Sequence, residues 1–130
     1  MDAAEALARL TQDSSQVERA VVLDAGGALL GSTIAEEAAT ERLAASAREL
    51  TTAASELHTT GGEVTRVEVE LDDGAVFVLR EGNRTIAAVT GPRPTSGLVA
   101  YDLRTCLHGI SEAPKPRRRR SSRPKEEKTE

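Results

Sequence analysis

The 130-residue chain is almost without aromatic side chains: Phe77 and Tyr101 make up 2% of it, and there is no tryptophan. Little is available to stack on a sugar or a base, so Ala, Val and Leu must do the packing and a deep ligand pocket is disfavoured. Cysteine is scarce too. The lone Cys106 excludes an internal disulfide, which suits a reducing compartment, and its place in an apolar run predicts a buried, inert thiol. With two histidines and one cysteine, no metal-ligand spacing is present and no metal or other cofactor is expected. No apolar run is long enough to span a bilayer, and the acidic opening Met1-Asp2-Ala3-Ala4-Glu5 matches no signal peptide. A cytoplasmic protein is expected.

Lysine is also missing from residues 1–110, where every basic side chain is Arg. The formal net charge of −4 hides a division: residues 1–110 carry 9 basic and 17 acidic groups, a balance of −8, whereas residues 111–130 carry 8 and 4, a balance of +4. After Ala113 the chain runs through Pro114, Lys115, Pro116 and Arg117-Arg118-Arg119-Arg120 without another aliphatic residue. Such a segment has too little apolar surface to offset its ordering entropy. The expected organisation is one domain over residues 1–110 and a disordered basic tail over 111–130.

Hydrophobic spacing then gives the elements. Ala3, Ala6, Leu7 and Leu10 recur at helical intervals behind Asp2 and Glu5, which suit a helix N-terminus. Val17, Ala20, Val21, Val22 and Leu23 form a strand, turned by Asp24-Ala25-Gly26-Gly27 into a second strand at Ala28-Leu29-Leu30-Gly31. From Glu36 to Leu57 the chain is Ala-rich and free of Gly and Pro, predicting a helix of roughly six turns. Leu43, Leu50 and Leu57 share one stripe of it with Ala39, Ala47 and Ala54. Strict alternation follows, with Val67, Val69 and Leu71 on one face and Arg66, Glu68 and Glu70 on the other. Asp72-Asp73-Gly74 turns into Ala75-Val76-Phe77-Val78-Leu79, apolar on both faces and therefore an interior strand. Glu81-Gly82-Asn83 turns into Thr85-Ile86-Ala87-Ala88-Val89. A last helix, capped by Thr95 or Ser96, aligns Val99, Leu103, Cys106, Leu107 and Ile110. The order α-β-β-α-β-β-β-α implies an α/β (α+β) fold, a five-stranded antiparallel sheet with helices on both faces.

The residues that bear chemistry do not assemble into a catalytic pattern. Cys106 and His108 are two apart on a helix and point in different directions. His58 follows the long helix, where a cation near the carbonyl end is favourable. Gly26, Gly27 and Gly31 lack the Lys-Ser/Thr pair of a phosphate loop and read as a hairpin. Asp72 and Asp73 are what a tight turn favours. Arg117–Arg120 could bind nucleic acid or an anionic membrane through counterion release, yet no aromatic is interleaved for stacking, and a solvated tail explains them as well. Ser121 and Ser122 behind them are candidate phosphorylation sites. No enzyme and no small-molecule substrate are expected.

The more informative signal is the alternating strand from Val64 to Leu71. Its charged face marks a sheet edge, and an edge must be protected or paired. Two copies pairing antiparallel about Val67 would set Arg66 opposite Glu68. An axis on Val69 would oppose Glu68 and Glu70, and one on Glu68 would set that residue against itself.

The element order, the segment from Val21 to Leu30 and the run Gly97-Leu98-Val99-Ala100-Tyr101-Asp102-Leu103 together resemble the roadblock family over residues 2–110. That family includes dynein light chains of the roadblock type and MglB-like bacterial regulators of Ras-like GTPases. The resemblance implies a profilin-like architecture and a homodimer formed through the middle strand, with the long helices side by side. Carried over, Val64, Arg66, Val67, Glu68, Val69 and Glu70, with Leu43, Leu50 and Leu57, become the dimer interface. Bacterial relatives bind a small GTPase on the dimer and alter its nucleotide cycle without hydrolysing nucleotide themselves, which makes Glu41, Arg48 and Glu49 candidate partner contacts. The function implied is a homodimeric adaptor or regulator of a small Ras-like GTPase. A dimeric scaffold without such a partner, or a binder of nucleic acid or anionic membrane acting through the tail, are the alternatives.

Overall fold

A computed structural model describes residues 1–57 and 64–111, and within them eight elements follow in the order read from the sequence. His58 and the segment from residue 112 onward, with Arg117–Arg120, Ser121 and Ser122, lie outside the described residues.

Helix α1 (Ala3–Asp13) starts with a capping box: the Asp2 carboxylate accepts from the Glu5 N–H at 2.8 Å, and the Glu5 carboxylate accepts from the Asp2 N–H at 3.0 Å. Two orphan donors of the first turn are thereby satisfied. The periodic residues Ala3, Ala6, Leu7 and Leu10 are all buried. Strands β1 (Val17–Leu23) and β2 (Leu29–Ser32) form the first hairpin. Helix α2 (Glu37–Ser55), β3 (Arg66–Leu71), β4 (Gly74–Glu81), β5 (Arg84–Thr90) and α3 (Ser96–His108) complete the chain.

The five strands form one antiparallel sheet in the order β2-β1-β5-β4-β3. Helices α1 and α3 cover one face, over Val22, Phe77, Leu79, Ile86 and Ala88. Helix α2 covers the other, over Val21, Leu23, Val78 and Ala87. Strand β4 therefore serves both layers, Phe77 and Leu79 in one and Val78 in the other, as its doubly apolar sequence requires. Ala44 and Ala47 of α2 are fully buried, and their small side chains let the helix backbone approach the sheet closely.

One glycine is fixed by that packing. A Cβ on Gly74 would lie 2.4 Å from the Thr90 carbonyl oxygen, so the β3–β4 turn accepts no side chain there. Neither Asp72 nor Asp73 takes a positive φ, whereas Gly82, in the turn between β4 and β5, does at 64°.

Three expectations are corrected. The long helix ends at Ser55: Glu56 and Leu57 close it with N–H bonds to Ala53 and Ala54, three residues back, which tightens the last turn. Leu57 thus leaves the stripe it shares with Leu43 and Leu50 by spacing, and is 86% exposed. Thr95 occupies the N-cap of α3, but neither it nor Ser96 makes a side-chain cap bond. The Ser96 hydroxyl donates to Glu68 instead. Val64 precedes β3, which begins at Arg66.

Candidate protein-interaction surface

Strand β3 stands at the sheet edge, paired with β4 in unbroken register from Arg66↔Leu79 to Leu71↔Gly74. Its other side meets no strand among the described residues. The alternation read from the sequence sets its two faces. Val67 and Val69 are half-buried while Arg66, Glu68 and Glu70 are exposed. Val67 packs against the α2-side core, as do Val76, Leu43, Leu50 and Ile34, all five partly buried. The apolar layer beneath α2 therefore continues to the open edge instead of closing before it.

On the α3 side the edge is ionic. The Arg66 guanidinium lies 3.4 Å from one Glu68 carboxylate oxygen, and the Ser96 hydroxyl binds the other. Glu68 is thereby tied to α3, 28 residues away. The contribution of Ser96 has no signature in a linear pattern. Val76 could have been found from the alternation of β4, because it sits opposite Val69.

The three α2 charges differ in what they touch. Glu41 and Glu49 are exposed on the helix surface. Arg48 is committed inward: its guanidinium donates to the Gly27 carbonyl at 2.6 Å and pairs with Glu41. A Cβ on Gly27 would lie 3.0 Å from the Arg48 side chain, so this glycine, at φ 89°, gives the arginine stem its seat. Arg48 thus clasps the β1–β2 turn to α2. Within that turn the Asp24 carboxylate accepts from the N–H groups of Gly26 and Ala28, both at 2.9 Å, the role of a turn-forming Asx residue.

Cys106 and His108, both on α3, meet different surroundings. Cys106 is buried against α1, and burial pushes its thiol up to about 11. His108 faces Glu81 at 3.2 Å, which also meets Arg104 at 3.4 Å. Among the described residues no three His, Cys, Asp or Glu side chains converge as a metal site would require. The groove between α1 and α3, lined by Leu10, Asp13, Asp102 and Cys106, holds about 140 Å³. No described helix is long and apolar enough to cross a membrane.

The class of fold is thus a three-layer α/β/α domain with an edge strand in continuous register and a half-covered apolar margin beside it. The chain belongs to the Roadblock/LC7 domain family, whose model matches residues 3–90. Among solved structures it is similar to a Roadblock/LC7 domain from Streptomyces avermitilis, with 22% identity, 83% of this chain and 93% of that one covered, and a TM-score of 0.72. It is likewise similar to MglB from Myxococcus xanthus, at 19% identity with 77% of each chain covered and a TM-score of 0.64. An MglB in a tetrameric arrangement aligns at 14% identity over 83% of this chain and 84% of that one, with a TM-score of 0.69. These likenesses establish the shared fold. No curated protein matches the chain.

Proposed function

We propose that the protein is a non-catalytic, cytoplasmic adaptor that forms a homodimer through β3 and α2 and, as a dimer, binds a small Ras-like GTPase and modulates its nucleotide cycle or localisation. The observation that carries the reading is the open β3 edge, beside which Leu43, Leu50, Val67 and Val76 are only half-buried. Apolar side chains left partly uncovered next to unpaired main-chain groups gain free energy from a second layer and a further strand. The GTPase enters through family membership and the fold shared with MglB proteins. Glu41 and Glu49 are its candidate contacts on α2. Arg48, held by the β1–β2 turn, supports that surface more than it forms it.

Light scattering at tens of micromolar should give twice the chain mass. Capture from native lysate by full-length protein, under nucleotide-free, diphosphate and triphosphate conditions, should then recover a Ras-like GTPase in a nucleotide-dependent manner. A dimer that recovers none under any condition leaves a scaffold and refutes the regulatory half of the proposal. Retention of capture after charge reversal of Arg117–Arg120 would exclude the tail as the contact.

A further inference from the structure

In an antiparallel ladder, residues alternate between those that direct their N–H and C=O toward the neighbouring strand and those that direct them away. The Arg80 N–H donates to the Thr65 carbonyl at 2.9 Å, and the β3–β4 register runs from there to Leu71 without a shift. Val67, Val69 and Leu71 consequently spend their main-chain groups on β4. Those of Arg66, Glu68 and Glu70 face the open side. A second copy of β3 must bond through the same residues, so even-numbered positions meet even-numbered ones. A two-fold axis therefore passes through a residue and never between two. Val67, Glu68 and Val69 are the centres that keep most of the strand paired.

Charge separates the three. An axis on Val69 sets Glu68 of each copy against Glu70 of the other. An axis on Glu68 opposes that carboxylate to itself, although Arg66 then meets Glu70. An axis on Val67 sets Arg66 opposite Glu68 in both halves and opposes no like charges. Both groups already lie on one side of the strand, 3.4 Å apart, with their side chains 40% and 28% exposed. Ser96 holds the second Glu68 oxygen and fixes where the carboxylate stands. On pairing, each Arg66 bridges its own Glu68 and the second copy's, giving a ring of alternating charge across the axis. On the α2 face the two Val67 side chains meet.

The geometry points to Arg66 and Glu68 as the pair that sets the register and the like-with-like specificity of a β3–β3 dimer whose axis lies on Val67. This rests on the homodimer reading above and assigns what that reading leaves open. Disulfide trapping in the full-length chain tests it. Residues facing each other on the axis have Cα atoms about 4.5 Å apart in a non-hydrogen-bonded pair, within disulfide range. Val67→Cys should oxidise to a covalent dimer, whereas Val69→Cys alone should not, and neither should the mixed disulfide between Val67→Cys and Val69→Cys chains form, which an axis on Glu68 would favour. Preferential cross-linking in either of those two cases overturns the assignment. In sedimentation, Arg66→Glu should weaken the dimer at least tenfold, and Arg66→Glu combined with Glu68→Arg should restore it to within about threefold. An undiminished Arg66→Glu dimer also overturns it. A wild-type chain that sediments as a monomer at tens of micromolar sinks the homodimer reading itself, so the two failures are distinguishable.

Discussion

Gly74→Ala adds one methyl group where the backbone leaves no room for it. The new Cβ would stand 2.4 Å from the Thr90 carbonyl oxygen, and because that neighbour is main chain, the β3–β4 turn or the end of β5 has to move. Overpacking of this kind costs about 1–3 kcal/mol. Loss of conformational entropy from the unfolded chain offsets about 0.4–1 kcal/mol of it. A net destabilisation of about 1–2 kcal/mol is expected, which with a urea slope of about 1–2 kcal/mol per molar moves the unfolding midpoint down by roughly 1 M. Two controls give the comparison its meaning. Gly97 lies in the first turn of α3 with nothing within 4 Å of its would-be Cβ and no positive φ, so Gly97→Ala should stabilise by about 0.5 kcal/mol. Gly82 also opens on empty space but sits at φ 64°, so Gly82→Ala should cost about 1 kcal/mol through backbone conformation alone. Equilibrium urea unfolding of the three variants, read by circular dichroism, decides the matter. A Gly74→Ala midpoint equal to or above wild type would refute the close approach of β5 to this turn.

Other outcomes follow from single contacts. Asp2→Ala removes the α1 capping box and should lower stability by about 1 kcal/mol in the same urea titration, whereas Asp2→Asn should retain most of it. Arg48→Met keeps the stem against Gly27 but loses the bond to its carbonyl. Because the arginine side chain is 38% exposed and the pair with Glu41 is solvent-screened, the cost should be only about 1 kcal/mol, accompanied by faster hydrogen exchange at Gly26 to Ala28. The Cys106 thiol is raised from 9.0 to about 11 by burial, so the folded state favours its neutral form. Its contribution to stability is whole below about 9 and is lost as the pH climbs through about 11. Stability measured across that window should fall less steeply in Cys106→Ala than in wild type.

Where the chain announced its structure, it did so by period. Alternation in β3, the doubly apolar β4 and the helical spacing of α1 and α3 each follow from which faces must be buried, and that is a local property of the sequence. Contacts across long separations are not local. The bond from Arg48 to Gly27 spans 21 residues and that from Ser96 to Glu68 spans 28, so nothing near either residue in the chain advertises its partner. The end of α2 departs from the hydrophobic period for a third reason. Seven-residue spacing extends the leucine stripe to Leu57, but N–H bonds from Glu56 and Leu57 to carbonyls three residues back twist the chain out of phase after Ser55. The edge position of β3 was legible because a charged face beside apolar strands fits nowhere else. The unfinished apolar margin at Leu43, Leu50 and Val76 became visible only with the strands in order.

The sheet has two edges, and their geometry argues for β3 as the surface that associates, independently of any family likeness. Strand β2 is four residues long, and its register against β1 shifts between Val22 and Leu23, leaving Leu30 without a partner residue. A short, bulged strand presents main-chain groups that point in irregular directions, which is how sheet edges are commonly kept from pairing. Leu29 and Leu30, 45% and 44% exposed, put apolar surface there, but not a ladder. Strand β3 has six residues in continuous register and main-chain groups of Arg66, Glu68 and Glu70 spaced regularly along its open side. Its charges do not protect it in the way isolated lysines would. Arg and Glu two residues apart disfavour strands that bring like charges opposite them, yet satisfy an antiparallel copy of themselves. In the proposed β3–β3 pairing, the side chains that charge the open edge are therefore also the ones that select a second copy of it.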